Sequence, residues 1–209
     1  DCNKMIIANN RVRCGISDAE IISIIKEEQP KIIGVGCMYS RHYRDLPDIT
    51  RLIKKVDSSI KVVLGGNHAT AFWSSILKEE SVDFVVRGEG EITLLELMKS
   101  VLSGKMGIES VLGLSYRKNG KIIQNNPRPR ISDLDSVSYS RHLLEMDKYG
   151  VSLDFLNVPA VALITSRGCP YRCSFCSAGR MLGELYTRRS AKNIVDEIEY
   201  CIKKFNVKG

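Results

Sequence analysis

Three cysteines, Cys169, Cys173 and Cys176, stand within eight residues of one another in the stretch SRGCPYRCSFCSAGR. Thiolates at CxxxCxxC spacing on one loop suit a single metal centre. A structural zinc site takes four ligands, usually from two separated pairs. A 4Fe–4S cluster also takes four. Three ligands leave one iron of such a cluster without a protein ligand, and an open iron is a place where a substrate or cofactor binds. Zinc binding and three unrelated thiols are the alternatives that the residues alone leave open. The other cysteines, Cys2, Cys14, Cys37 and Cys201, stand singly. With no export signal visible, this usage predicts a reducing cytoplasm and a ligand cluster, not a disulfide framework.

The elements that must position this loop can be read on either side of it. The apolar run within Val158–Thr165 predicts a buried strand before it. Ser190–Phe205 predicts an amphipathic helix after it, with Ile194, Ile198, Cys201, Ile202 and Phe205 on one face. Cys201 therefore reads as core, not as a ligand. Further upstream, helix and strand alternate from residue 16 to about residue 104. Ser17 and Glu20 stand in capping-box register; Lys31–Cys37 and Lys61–Gly66 read as buried strands; Asp45–Val56 and Thr70–Glu80 read as helices. VDFVVRGEGE is a strand entering a glycine-rich turn, and Ile92–Ser103 is a helix stopped by Gly104.

This rhythm predicts an α/β domain, a doubly wound parallel sheet of Rossmann or flavodoxin type. Ligands of such sheets lie at the carboxyl ends of the strands. Glycines recur there: Gly34 and Gly36, then Gly65 and Gly66, then Gly88 and Gly90. Glycine lets a large ligand lie against backbone N–H groups, although tight turns want glycine too. Asn119–Gly120 then marks a hairpin, and Asn125–Asn157 reads as a linker.

The chain has 209 residues and a net charge of +7, from 31 basic and 24 acidic side chains. The basic residues are scattered and no aromatic–basic stripe accompanies them, so nucleic-acid binding is not expected. No apolar run reaches the roughly 20 residues of a membrane span.

The motif CPYRCSFC, with Phe175 just before the last cysteine, resembles the radical S-adenosylmethionine superfamily. The turns GGNHAT and RGEGE, the hairpin and RRSAKNIVDEIEY extend the resemblance over most of the chain, to the cobalamin-dependent radical enzymes of the methyltransferase-like class. The resemblance implies a 4Fe–4S cluster on Cys169, Cys173 and Cys176, with S-adenosylmethionine chelated at the open iron and Phe175 near its adenine. Reductive cleavage gives a 5′-deoxyadenosyl radical. The first domain would hold cobalamin as second cofactor, with methylation of an unactivated carbon the expected reaction. Backbone of Gly65, Gly66, Gly88 and Gly90 is then expected to contact its nucleotide tail, with Tyr39, Ser40, His68 and Glu89 as further contacts. Gly36-Cys37-Met38 stands in place of the SxL stretch of methionine synthase-type domains, at matching spacing from Gly65, with glycine where serine stands there.

The expected organisation is a cobalamin-binding α/β domain over residues 1–125, its first strand missing, a linker over 126–157, and over 158–209 the first β/α unit of a truncated radical barrel of TIM-like type. Such a barrel needs roughly 200 residues, so the chain alone is expected to be a fragment, inactive and poorly soluble. Expected partners are a small-molecule, natural-product or lipid substrate and an electron donor such as flavodoxin or ferredoxin. The competing readings are a cyclase or rearrangement enzyme of the same architecture, a methylthiotransferase using Cys2, Cys14 and Cys37 for a second cluster, and a cobalamin sensor without catalysis.

Overall fold

The computed structural model describes residues 5–8, 11–104, 106–144, 151–152, 159–176, 178, 181 and 183–209. These fall into two compact units. The first holds the described residues of 18–131 and 175–182; the second holds those of 1–17, 132–174 and 183–209.

In chain order, β1 (Met5–Ala8) and β2 (Arg11–Cys14) form an antiparallel hairpin that belongs to the second unit. The first unit runs α1 (Asp18–Glu28), β3 (Ile32–Gly36), α2 (Leu46–Val56), β4 (Lys61–Gly65), α3 (Asn67–Ile76), β5 (Phe84–Val86), α4 (Glu91–Ser103), β6 (Leu114–Lys118) and β7 (Lys121–Gln124). Its sheet has the order β3-β4-β5-β6-β7. β3, β4 and β5 are parallel, as the alternating pattern predicts, whereas β6 and β7 join antiparallel. The hairpin expected at Asn119–Gly120 is therefore part of the sheet, not an appendage. Both turn residues have positive φ, 51° and 73°, which matches the turn twist to that of the strands.

Successive side chains of a strand point to opposite faces, and the sheet buries both. Val62, Leu64 and Val85 pack with Ile25, Leu46, Ile53 and Ile76 from α1, α2 and α3. Val63, Phe84 and Val86 pack with Leu97 of α4 and with Val111 and Leu114. Helix α3 begins three residues earlier than the expected Thr70, because it starts directly on the turn at Gly66, and it ends at Ile76 instead of Glu80. Arg117, on β6, donates to the carbonyls of Leu77, Glu79, Glu80 and Val82 in the turn that follows α3. One guanidinium thus supplies donors to four carbonyls of the segment between α3 and β5.

The first unit runs on to Ile131, and the start of the segment read as a linker is strapped to the sheet. Asn126 accepts from Gly113 N at 2.8 Å. Arg128 donates to Thr93 at 2.8 Å and pairs with Glu96, and Ile131 N donates to Glu89 at 2.7 Å.

The second unit adds β8 (Val151–Ser152), β9 (Pro159–Ala160), β10 (Ser166–Arg167), β11 (Thr187–Arg188) and α5 (Ala191–Phe205). The buried strand expected within 158–165 is reduced to the two residues of β9, which pair with β8. A fully buried strand needs a ladder partner on each side. In place of a ladder, Val161 N donates to Gly209 O and Thr165 O accepts from Arg189 N, while Ala162 O and Ile164 O accept from the guanidinium groups of Arg141 and Arg189. Val158 lies outside the described residues, as do most of the supposed linker's last residues, 145–150 and 153–158. Helix α5 forms as expected, capped by Ser190 through Asn193 N at 3.1 Å. Cys201 is buried, while Val195 and Ile202 are about half exposed.

Replacing Arg117 by Met keeps the aliphatic stem and removes every donor. The expected cost is about 2 kcal/mol, from carbonyls left without partners, read as a lower urea midpoint at unchanged slope.

Candidate functional site

Gly36 and Gly65 end β3 and β4 opposite each other. The chain closes tightly here: Cys37 N donates to Gly65 O at 2.8 Å, and His68 N donates to Cys37 O at 3.0 Å. Gly66 sits between them with φ +101°, and a Cβ on it would stand 2.7 Å from Cys37 O. Only hydrogen fits. α3 starts on the next residue, with no side-chain cap and no acidic residue in its first turn. Thr70, in that turn, accepts from Gly88 N at 3.0 Å, which ties the end of β5 to the same junction.

The remaining glycines differ in kind. Gly88 has φ +73°, and Gly90 is held by Val86 Cγ1 at 3.3 Å from its missing Cβ. Gly34 and Gly36 lack both reasons: neither has positive φ, and a Cβ on either would meet nothing within 4 Å. They sit in register with Val63 and Gly65, on the face that α4 covers further along the sheet. The result is a strip of bare backbone on which folding places no demand for glycine. It leaves room for a large group.

His68 is 7% exposed. Its ring stacks on Phe72 at 4.7 Å and lies against Tyr43 at 4.8 Å, and its Nδ1 shares a hydrogen bond with Ser40 Oγ at 2.9 Å. Nε2 is buried without a hydrogen-bond partner. Burial holds the imidazole below its ordinary pKa, so the ring is neutral near pH 7. Met38, Tyr39 and Phe72 are about half exposed or more and put apolar surface at the same end of the sheet. An uncapped helix start, an orphaned imidazole nitrogen, bare backbone and exposed apolar side chains together fit a large, mostly apolar ligand with a few polar arms.

The candidates from sequence thus separate. Gly65, Gly66, His68, Ser40 and Gly88 are joined by the bonds just described, and Tyr39 adjoins Ser40. Glu89 is not turned to this junction alone: its carboxylate holds the Ile131 amide, a strap that sequence reading could not reveal because its partner lies 42 residues on. Gly34 and Gly36, read in sequence as ligand-edge or turn glycines, stand out by the empty space above them.

In the cysteine loop, Cys169 is half-buried, and Cys173 and Cys176 are exposed. Among the described residues no three His, Cys, Asp or Glu side chains form a metal-ligating group. Such ligands are gathered by the metal as it binds. The loop's stem is nonetheless built. β10 pairs with β11, Cys169 N donates to Gly183 O at 3.3 Å, and Arg172 pairs with Glu184 at 2.6 Å. Below it Glu197, 2% exposed, accepts from Arg141 at 2.7 Å and Arg189 at 2.5 Å. Arg189 also donates to Ile164 O at 3.0 Å. Phe175 is 91% exposed. Of the cysteines proposed for a second cluster, Cys37 is buried, its thiol pKa raised by that burial; Cys14 lies in β2; Cys2 lies outside the described residues. No helix among the described residues is long and apolar enough to cross a membrane.

The B12 binding domain family model matches residues 6–98. An uncharacterized methyltransferase of Pyrococcus horikoshii is 34% identical over 192 residues, covering 91% of this chain and 40% of that protein. The anaerobic magnesium-protoporphyrin IX monomethyl ester cyclase of Rubrivivax gelatinosus is 32% identical, covering 92% of this chain and 35% of that protein. The chain thus spans about two fifths or less of these relatives. Among solved structures, the radical S-adenosylmethionine methyltransferase TsrM of Kitasatospora setae, with cobalamin and a 4Fe–4S cluster bound, superposes with a TM-score of 0.73 at 18% identity, over 90% of this chain and 38% of that one. This likeness establishes the α/β fold.

Gly66→Ala is expected to lower stability by roughly 2 kcal/mol or more, from strain at positive φ plus the contact with Cys37 O, whereas Gly36→Ala leaves the thermal midpoint unchanged. As pH falls through about 6.5 the unfolded chain takes up a proton at His68 that the folded chain does not. Stability therefore drops with acidification in that range, and His68→Gln flattens that part of the profile.

Proposed function

We propose, from the premise that residues 6–98 form a B12-binding domain, that the protein is a cobalamin-dependent radical S-adenosylmethionine enzyme that methylates an unactivated carbon. The observation that carries this reading is the presence, in one chain, of the glycine-paved B12-binding domain and the loop of Cys169, Cys173 and Cys176. A cobalamin carrier without catalysis has no use for three thiolates that leave an iron open.

In this reading Cys169, Cys173 and Cys176 hold a 4Fe–4S cluster, and Phe175 packs on the adenine of S-adenosylmethionine. The bare backbone of Gly34, Gly36 and Gly65 admits cobalamin at the carboxyl edge of the sheet. When bound, the cluster and S-adenosylmethionine supply a 5′-deoxyadenosyl radical, and cobalamin supplies the methyl group. The protein's part is binding, orientation and exclusion of water. The Arg141–Glu197–Arg189 knot fixes the base of the cysteine loop, because a carboxylate buried this deeply holds both guanidinium groups in one geometry. The substrate class is a small molecule, natural product or lipid, and each methylation would draw two electrons from an external donor such as flavodoxin or ferredoxin, one for reductive cleavage of S-adenosylmethionine and one to return cobalamin to its methyl-accepting state.

Ring formation is the second reading. It is favoured by the 32% identity to the Rubrivivax gelatinosus cyclase, and no residue described here separates it from methylation. Product analysis does: methylation forms S-adenosylhomocysteine together with 5′-deoxyadenosine, and cyclisation forms 5′-deoxyadenosine alone.

The reading is tested by anaerobic reconstitution of the full-length protein with iron, sulfide and hydroxocobalamin. The expected content is about four iron per chain with one cobalamin. Ala at Cys169, Cys173 or Cys176 removes most of the iron and spares cobalamin, while Cys201→Ala keeps both. About eight iron without cobalt would favour a methylthiotransferase, and cobalt without iron a sensor.

A further inference from the structure

We propose that the hollow at the amino end of the sheet is a second ligand site, which takes a small molecule with an aromatic ring and one anionic group, an aryl carboxylate in its simplest form. The proposal stands on the first unit alone and does not depend on the cobalamin reading.

The hollow has a volume of about 560 Å³, within the roughly 300–1,000 Å³ of small-molecule sites. It opens where β4 and β5 begin and β6 ends, at Lys61, Phe84 and Lys118. The glycine junction lies at the other end of the same strands, about 13 Å away along β4, so the two places are separate. The apolar part is aromatic. Phe84 and Tyr116, opposite each other in the β5–β6 ladder, hold their ring centroids 6.4 Å apart at 48°. Two tilted rings offer a face and an edge, the arrangements in which a third ring packs well. Met106 and Ile108, from the segment after α4, complete the lining.

The polar part favours an anion. Tyr116 is 4% exposed, and its hydroxyl has no hydrogen-bond partner among the described residues. Burial and the Glu109 carboxylate hold this phenol above its ordinary pKa, so it keeps its proton and offers a donor. Asp83 is already held by Lys54 at 2.7 Å and by Val62 N at 2.8 Å, which leaves Lys61 at 3.9 Å from it. Lys118 pairs with Glu109 at 2.5 Å, but both side chains are more than half exposed, and a pair of that kind is worth little. Arg117 gives its donors to backbone carbonyls. Four cations, counting Lys54, thus stand against the two carboxylates of Asp83 and Glu109. Lysines near helix carboxyl ends are ordinary, because they complement the dipole. A nearly buried phenol without an acceptor, beside an open hollow, is not.

Three probes on the full-length protein separate the two features: 2-naphthoate carries ring and charge, 2-naphthalenemethanol the ring alone, and acetate the charge alone. Binding is read by isothermal titration and saturation-transfer NMR, with thermal melts as a check on folding. The expected result is saturable binding of 2-naphthoate at one site, binding of the alcohol about tenfold weaker, and none of acetate. Lys61→Met brings 2-naphthoate down to the level of the alcohol and leaves the alcohol unchanged. Tyr116→Phe, which removes only the hydroxyl, weakens 2-naphthoate about two- to tenfold. Met106→Trp fills the hollow and abolishes binding, and saturating hydroxocobalamin leaves binding as it was. Wild-type protein that does not bind 2-naphthoate, or binds the alcohol equally well, would overturn the proposal. So would undiminished binding in folded Lys61→Met or Met106→Trp, or displacement by hydroxocobalamin, which would place the probe at the carboxyl edge.

Discussion

The end of the sheet is organised by one close approach: Gly66 lies so near the carbonyl of Cys37 that a methyl group in place of hydrogen would stand 2.7 Å from the oxygen. This contact locks the exit of β3 against the exit of β4. It lets Cys37 O accept from His68 N, which starts α3 without a conventional cap and delivers His68 to the pocket between Tyr43 and Phe72. Thr70, one turn into α3, then holds Gly88 and brings the exit of β5 into the same assembly. Remove the approach and the three strand ends lose their common reference. The bare backbone at Gly34 and Gly36 is the space that this arrangement leaves free for a ligand.

Much of this was legible in the residues. The three-cysteine loop, the alternation of helix and strand, the Asn119–Gly120 turn and the glycines at strand ends are local patterns with local physical causes. What sequence could not show was set by distant partners. Glu89 looks like a site carboxylate until its acceptor role toward Ile131 is seen, and the linker looks free until Asn126 and Arg128 are found tied to the sheet. The apolar run at 158–165 has the composition of a buried strand, but burial depends on neighbours that composition does not supply, and Ile164 is 65% exposed. The antiparallel addition of β6 and β7 likewise follows from pairing across the sheet, not from any feature of the hairpin itself.

The two units treat their polar groups differently. In the first, polar atoms are left open or lightly covered at the carboxyl edge: an uncapped helix start, an unbonded imidazole nitrogen and exposed backbone. In the second, the reverse holds at Glu197 of α5, where Glu197, Arg141 and Arg189 satisfy one another almost out of contact with water. A buried ion triad of this sort contributes geometry more than net stability. It shares its unit with Cys169, which is half-buried, and Cys173, which is exposed.

Hydrogen–deuterium exchange of the full-length protein, with and without one equivalent of hydroxocobalamin, addresses the ligand edge most directly. If the glycine-paved end of the sheet is where cobalamin lies, protection rises in residues 34–40, 65–72 and 86–90 and changes little in the β6–β7 hairpin, which stands at the sheet's other edge. Protection confined to other segments, or none on addition of cobalamin, would contradict the assignment of that edge as the binding site.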